Sequence, residues 1–191
     1  TPGGQSALFA AHMAALDDKD IAAYIDPFYA TYPTTIRSVG ARESRIVTSA
    51  KNYFQPTFEQ LDSGTKQAKS LLINSPNNPT GLVYSKNTVA NICEVAKKNN
   101  LWVISDEVYE RIIYDRKVAP SFLDISEEND LLIVVNSFSK SWAMTGWRLG
   151  WMIVPEGLIN IFEKLNEFNV ASPSSPAQHA GVVAIKEGEK F

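Results

Sequence analysis

Lys140 closes the string Asn136-Ser137-Phe138-Ser139-Lys140. A lysine just past a buried apolar run, flanked by small hydroxyl residues, sits where its amine is partly stripped of water. Desolvation favours the uncharged, nucleophilic amine that Schiff-base chemistry requires. Arg148 follows inside Met144-Thr145-Gly146-Trp147-Arg148-Leu149-Gly150, with no charged residue between the two. A guanidinium there, together with the Ser137 and Ser139 hydroxyls, suits a phosphate dianion. The competing reading of Lys140 alone is an ordinary solvent-exposed loop lysine.

Asp106 ends the apolar run in Val103-Ile104-Ser105-Asp106-Glu107-Val108-Tyr109. A carboxylate buried at a strand end is costly unless a cation meets it, and a protonated ring nitrogen of a ligand would do so. Alternatively Asp106 caps the next turn. Tyr109 adds a phenol able to donate to an oxyanion. In Asn74-Ser75-Pro76-Asn77-Asn78-Pro79-Thr80-Gly81 the prolines and glycine stiffen a turn, from which Asn78 projects an amide. A purely structural turn is the plainer reading. Gly3-Gly4-Gln5 opens a helical pattern whose free backbone N–H groups suit an anion. It is neither GxGxxG nor a Walker loop.

Other reactive residue types lead nowhere. The single cysteine, Cys93, cannot form an internal disulfide and reads as a small hydrophobe on a helix face. His12 and His179 lie far apart in helical patterns and read as structural, so no metal site is expected.

Something must position these groups. Strand-like apolar runs occupy residues 21–26, 45–49, 70–74, 101–106, 131–136 and 149–154, several of them continuous as in strands buried on both faces. Helices are expected at 87–99, where Val89, Ile92 and Ala96 share a face, and at 155–168, opened by Pro155. Weaker helical patterns cover 5–16, 28–39, 53–61 and 176–186. This alternation predicts an α/β domain with a mostly parallel, helix-covered sheet. In such sheets ligands bind beyond the carboxyl ends of the strands. The residues to inspect there are Asp26-Pro27, Asn77-Asn78, Asp106-Glu107 and Asn136-Ser137, with Lys140 beyond.

The bulk numbers agree. The 191 residues are 45% hydrophobic and carry 18 basic against 21 acidic side chains, so neither a nucleic-acid-binding excess nor an acidic tail is present. No apolar run reaches the ~20 residues of a membrane span. The length suits one domain, and the chain reads as a cytosolic globular protein. It starts at Thr1-Pro2 and stops at Lys190-Phe191 as a helical pattern runs out, so both ends are expected to be cuts through a longer protein.

Together, Gly3-Gly4, Asn77-Asn78-Pro79-Thr80-Gly81, Asp106-Glu107-Val108-Tyr109 and the run from Ser137 through Lys140 and Arg148 to Gly150 resemble, in order, the class I/II pyridoxal-phosphate aminotransferases of fold type I. The resemblance spans the chain. It implies a three-layer αβα fold with a mostly parallel sheet and one antiparallel strand, residues 1–191 being the cofactor-binding large domain without the N-terminal arm and C-terminal small domain. It further implies that Lys140 holds pyridoxal 5'-phosphate as a Schiff base and then moves a proton. Asp106 would pair with the pyridinium nitrogen, preserving the electron sink. Asn78 and Tyr109 would bond the ring oxygen. Ser137, Arg148 and the Gly4-Gln5 backbone would form the phosphate cup, and Tyr29 would stack on the ring, although Tyr29 also fits as a packing tyrosine. Individual roles for Ser139 and Trp142 stay open. The implied partners are an amino acid, a 2-oxo acid and a second copy of the full-length chain, with no nucleic acid or membrane. A carbon–sulfur β-lyase of the same fold and the effector domain of a pyridoxal-phosphate-sensing transcription regulator are the competing readings.

Overall fold

Short apolar runs form the central strands, which end in Asp26, Asn74, Asp106 and Ser137, and amphipathic stretches between them supply the covering helices. A computed structural model describes residues 1–115, 117–128 and 130–188; the chain's last residues, Lys190 and Phe191, lie outside them. Strands β1 (Ile21–Asp26), β2 (Arg42–Val47), β3 (Ser70–Asn74), β4 (Trp102–Asp106), β5 (Leu132–Ser137) and β6 (Gly150–Ile153) make one sheet in the order β2-β1-β3-β4-β5-β6. All neighbours pair parallel except β5 and β6, which are antiparallel. The helices are α1 (Gly4–Ala15), α2 (Tyr32–Ser38), α3 (Phe58–Thr65), α4 (Lys86–Asn99), α5 (Phe138–Ser141), α6 (Ile159–Val170) and α7 (Ser175–Glu187).

Alternate residues of the central strands feed two cores. On one face Leu72, Ile104, Ile133 and Val135 pack with Ala7, Leu8 and Ala11 of α1, Ile36 of α2 and Phe162 of α6. On the other, Leu71, Ile73 and Val103 pack with Leu61 of α3 and with Val89, Ile92 and Val95 of α4. Each fully buried Leu, Ile, Val or Phe among them contributes roughly 1.5–3 kcal/mol. The result is the three-layer αβα arrangement with one antiparallel strand. A third cluster, Phe138, Met144, Leu149 and Ala177, seats α7 against α5 and the start of β6.

Four expected elements have displaced boundaries. The helix expected at 53–61 starts at Phe58, because Tyr53 and Phe54 take left-handed φ values of 49° and 57° and Pro56 interrupts the path. Thr57 then opens α3 with a capping box, its hydroxyl accepting from the Gln60 N–H at 3.2 Å while Gln60 accepts from the Thr57 N–H at 2.9 Å. The helix expected at 28–39 spans only Tyr32–Ser38, with Pro33 in its first turn. The strand expected at 45–49 begins at Arg42 instead. It is an edge strand pairing only with β1, so charged residues on it stay solvated and hide its start. At 155–168, a 3-10 turn over Glu156–Leu158 precedes α6.

The sheet order sets the site. From β1 the chain passes through α2 to β2 on one side, and β3 lies on the other. That reversal opens a crevice at the carboxyl ends of β1 and β3. No helix among the described residues is long and apolar enough to cross a membrane.

Candidate active site

One cleft of about 220 Å³ lies beyond the carboxyl ends of β3, β4 and β5, lined by Gly4, Gln5, Tyr29, Tyr32, Asn74, Asn78, Asp106, Tyr109, Ser137, Ser139, Lys140 and Arg148 among others. Every residue expected to hold the cofactor is therefore on its wall. Asp26, Asn77, Glu107 and Asn136, also expected at strand ends, do not line it.

At the floor, Asp106 is 4% exposed. The Tyr32 hydroxyl donates to its Oδ2 at 2.7 Å, and the Val108 N–H donates to its Oδ1 at 3.3 Å. Burial pushes the carboxyl up to about 6, and these two donations pull against that rise. An acid so placed is poised to ionise when a cation arrives. Tyr32 itself is buried, and its hydroxyl is held well above the ordinary phenol range by burial and by Asp106. Glu107 turns to the opposite face, where Oε1 accepts from Ser105 at 2.8 Å and from the Phe122 N–H at 3.1 Å, anchoring the 3-10 turn Phe122–Asp124.

On one side wall, Asn78 Nδ2 donates to the Tyr109 hydroxyl at 3.3 Å, leaving that hydroxyl's proton free for a ligand oxygen. Asn74 holds both strand ends in register. Its Nδ2 donates to the Asp106 carbonyl at 2.9 Å and its Oδ1 accepts from the Asn78 N–H at 2.7 Å. Asn77 closes the turn by accepting from Thr80 at 2.7 Å and donating to the Pro27 carbonyl at 3.3 Å. Tyr29 stands at the rim, edge-on to Tyr32 with ring centroids 5.7 Å apart.

The other wall is built for an anion. Helix α1 begins at the cleft with no side chain capping it, so its first N–H groups face outward with the helix dipole behind them. Ser137 caps α5, accepting from the Ser139 N–H at 3.3 Å, while Asn136 turns back to accept from the Ser137 N–H at 2.8 Å. Arg148 reaches in from its left-handed φ of 50°, Nη1 bonded to the Thr145 carbonyl at 2.8 Å.

Lys140 projects from α5 with Nζ 5.6 Å from the Tyr109 ring centroid. It is exposed rather than partly stripped of water, because α5 is a single turn on the rim of the cleft. Trp142 does not line the cleft; it packs on Phe138 and Trp151, and its indole N–H donates to the Ala184 carbonyl of α7 at 3.1 Å.

Tyr32 and Asn74 were not singled out from sequence. The available signal was their position, an aromatic hydroxyl and an amide beside strand ends already expected to form the site. His12 is fully buried, His179 is exposed, and no group of three potential metal ligands occurs among the described residues. A second cleft of about 220 Å³ adjoins Cys93, but burial raises that thiol's pKa, which disfavours the reactive thiolate.

Comparison with known proteins places this geometry among one set of relatives. The family model described as "Aminotransferase class I and II" matches residues 1–191. The aspartate aminotransferase of Thermotoga maritima is 36% identical over 192 residues, covering 100% of this chain and 51% of that protein. The probable aspartate/prephenate aminotransferase of Aquifex aeolicus is 37% identical over 188 residues, covering 96% of this chain and 47% of that one. Among solved structures, aspartate aminotransferase from Thermus thermophilus with maleate superposes with a TM-score of 0.92 at 32% identity, covering 99% of this chain and 49% of that chain. The chain thus spans about half the length of the curated relatives it matches.

Proposed function

The chain belongs to the class I and II aminotransferases, and from that premise we propose that it forms the cofactor-binding large domain of an enzyme that moves an amino group between an L-amino acid and a 2-oxo acid with pyridoxal 5'-phosphate. The observation that carries this reading is the convergence, in one cleft, of a lysine, a buried carboxylate, an amide–phenol pair and a helix N-terminus with no side-chain cap.

The donor set fits that cofactor part by part. Asp106 suits a protonated ring nitrogen, the Asn78–Tyr109 pair a ring oxygen, and Ser137, Arg148 and the α1 N-terminus a phosphate. When bound, the cofactor supplies an electron sink for the carbanion left by removing the substrate α-proton. Lys140 would anchor it covalently, and the freed Nζ would then take the proton from the substrate α-carbon and deliver it to the cofactor's C4′ carbon. Asp106, kept in place by Tyr32 and Val108, would hold the ring nitrogen's proton. Tyr109 would donate to the ring oxygen, with Asn78 fixing the phenol's orientation. Tyr29 at the rim would cover the ring face.

Several relatives carry the name aspartate aminotransferase, which supports aspartate as the first donor to assay. The family resemblance also leads us to expect a cytoplasmic homodimer of the full-length chain. The test is oxo-acid formation from aspartate, aromatic and other donors, run beside pyruvate release from cystathionine. Transamination without pyruvate release supports the proposal; pyruvate release alone would replace it with the β-lyase reading.

A further inference from the structure

The anion-binding end of the cleft is assembled around residues that lack side chains. Gly3 holds φ at +86°, and a β-carbon there would lie 2.5 Å from Arg148 Nη2 and 2.9 Å from its Cζ. The guanidinium therefore rests against a bare α-carbon. Behind it, a β-carbon on Gly150 would meet the Asn136 carbonyl oxygen at 2.8 Å, the Gly3 carbonyl carbon at 2.8 Å and the Gly4 nitrogen at 3.0 Å. The Gly3-Gly4 peptide is thus pressed against the start of β6. Thr1 ties the same segment down, its amino group donating to the Gly150 carbonyl at 2.8 Å and its carbonyl accepting from the Gly150 N–H at 2.9 Å.

Arg148 has few other constraints. Among the described residues its one side-chain hydrogen bond runs to the Thr145 carbonyl, and no ion pair involves it. A long exposed side chain loses rotamer freedom when it grips an anion, which weakens binding unless something has already seated it. Gly3 is placed to be that seat.

We propose that Gly3 is a positioning residue for Arg148. Its bare backbone, held by Gly150, seats the guanidinium at the α1 N-terminus beside Ser137, and this seating sets the preference for a phosphate-bearing cofactor over its dephosphorylated form. The proposal rests on the cofactor reading above and extends it to specificity.

The experiment measures affinities of the full-length protein for pyridoxal 5'-phosphate and for pyridoxal, which shares the ring and aldehyde but lacks the phosphate. Wild type is compared with Gly3→Ala, Arg148→Ala and the double variant. Wild type should favour the phosphate ester. Gly3→Ala should cut that preference by about tenfold, the scale of one charge-assisted contact, with little change for pyridoxal. In the Arg148→Ala background it should remove no further preference, since its partner is gone. Equal loss for both ligands in Gly3→Ala, or a loss that adds in full to that of Arg148→Ala, would overturn the positioning role. A wild type with no preference for the phosphate ester would instead overturn the cofactor reading, and this proposal with it. Should Gly3→Ala fold too poorly to titrate, its thermal midpoint decides. The φ of +86° strains Ala in either background, so a smaller midpoint loss from Gly3→Ala in the Arg148→Ala background supports the contact with Arg148; an equal loss overturns it.

Discussion

Asp106 is where burial and charge conflict most sharply. Its carboxyl titrates at about 6 when folded against 3.8 for the ordinary side chain, so folding favours the protonated form. That contribution is fully present below pH 3.8 and is lost as pH rises through 6. In the cofactor-free protein, Asp106→Asn should therefore be more stable than wild type at pH 8, by about 2–3 kcal/mol, with the advantage fading toward pH 4. Denaturant titration at the two pH values checks it; equal stability at pH 8 would contradict it. Tyr32→Phe tests the other side of the balance. Loss of its donation lets the Asp106 pKa climb further, so the acid limb of cofactor affinity should move to higher pH. An unmoved limb would mean that the 2.7 Å bond does not hold the carboxylate. The motif residues were legible because their types at fixed spacings imply chemistry. Tyr32 and Asn74 were not, because their roles depend on meeting Asp106 and Asn78 across strands.

Helix α1 is coupled to the site at one end and to the core at the other. His12 is fully buried in it, and neither ring nitrogen has a hydrogen-bond partner. Burial lowers its pKa from 6.5 to about 4. Folding thus favours neutral His12, a contribution present above pH 6.5 and lost as pH falls toward 4. About 3 kcal/mol is at stake. This runs opposite to Asp106 over much the same range, so wild type should show a flatter profile than either single variant. His12→Leu should leave Asp106 to dominate, so that variant's stability should rise as pH falls from 7 to 4; a profile identical to wild type over that range would show that His12 does not titrate there. The strands β1 and β3 were read from sequence with their bounds intact, because buried parallel strands are continuous apolar runs. The edge strand β2 and the starts of α2 and α3 were misplaced, because partner count, Pro33 and the Thr57 capping box decide them.

Across the whole molecule, the exposed apolar side chains include a group on the last two helices: Val182, Val183 and Ile185 of α7, and Phe168 of α6, which is 90% exposed. A surface of this kind expects cover from further chain or a second copy. The 191-residue chain should therefore self-associate in sedimentation velocity, and a Val182→Lys/Ile185→Lys variant should shift it toward monomer; no shift would place the contact elsewhere. We propose above all that Lys140 carries the cofactor. It is tested most directly by incubating the full-length protein with pyridoxal 5'-phosphate, reducing with borohydride and mapping the modified peptide by mass. A pyridoxyl adduct on Lys140, absent in Lys140→Ala, is the expected result. Stoichiometric adduct on another lysine, or none at all, would contradict it.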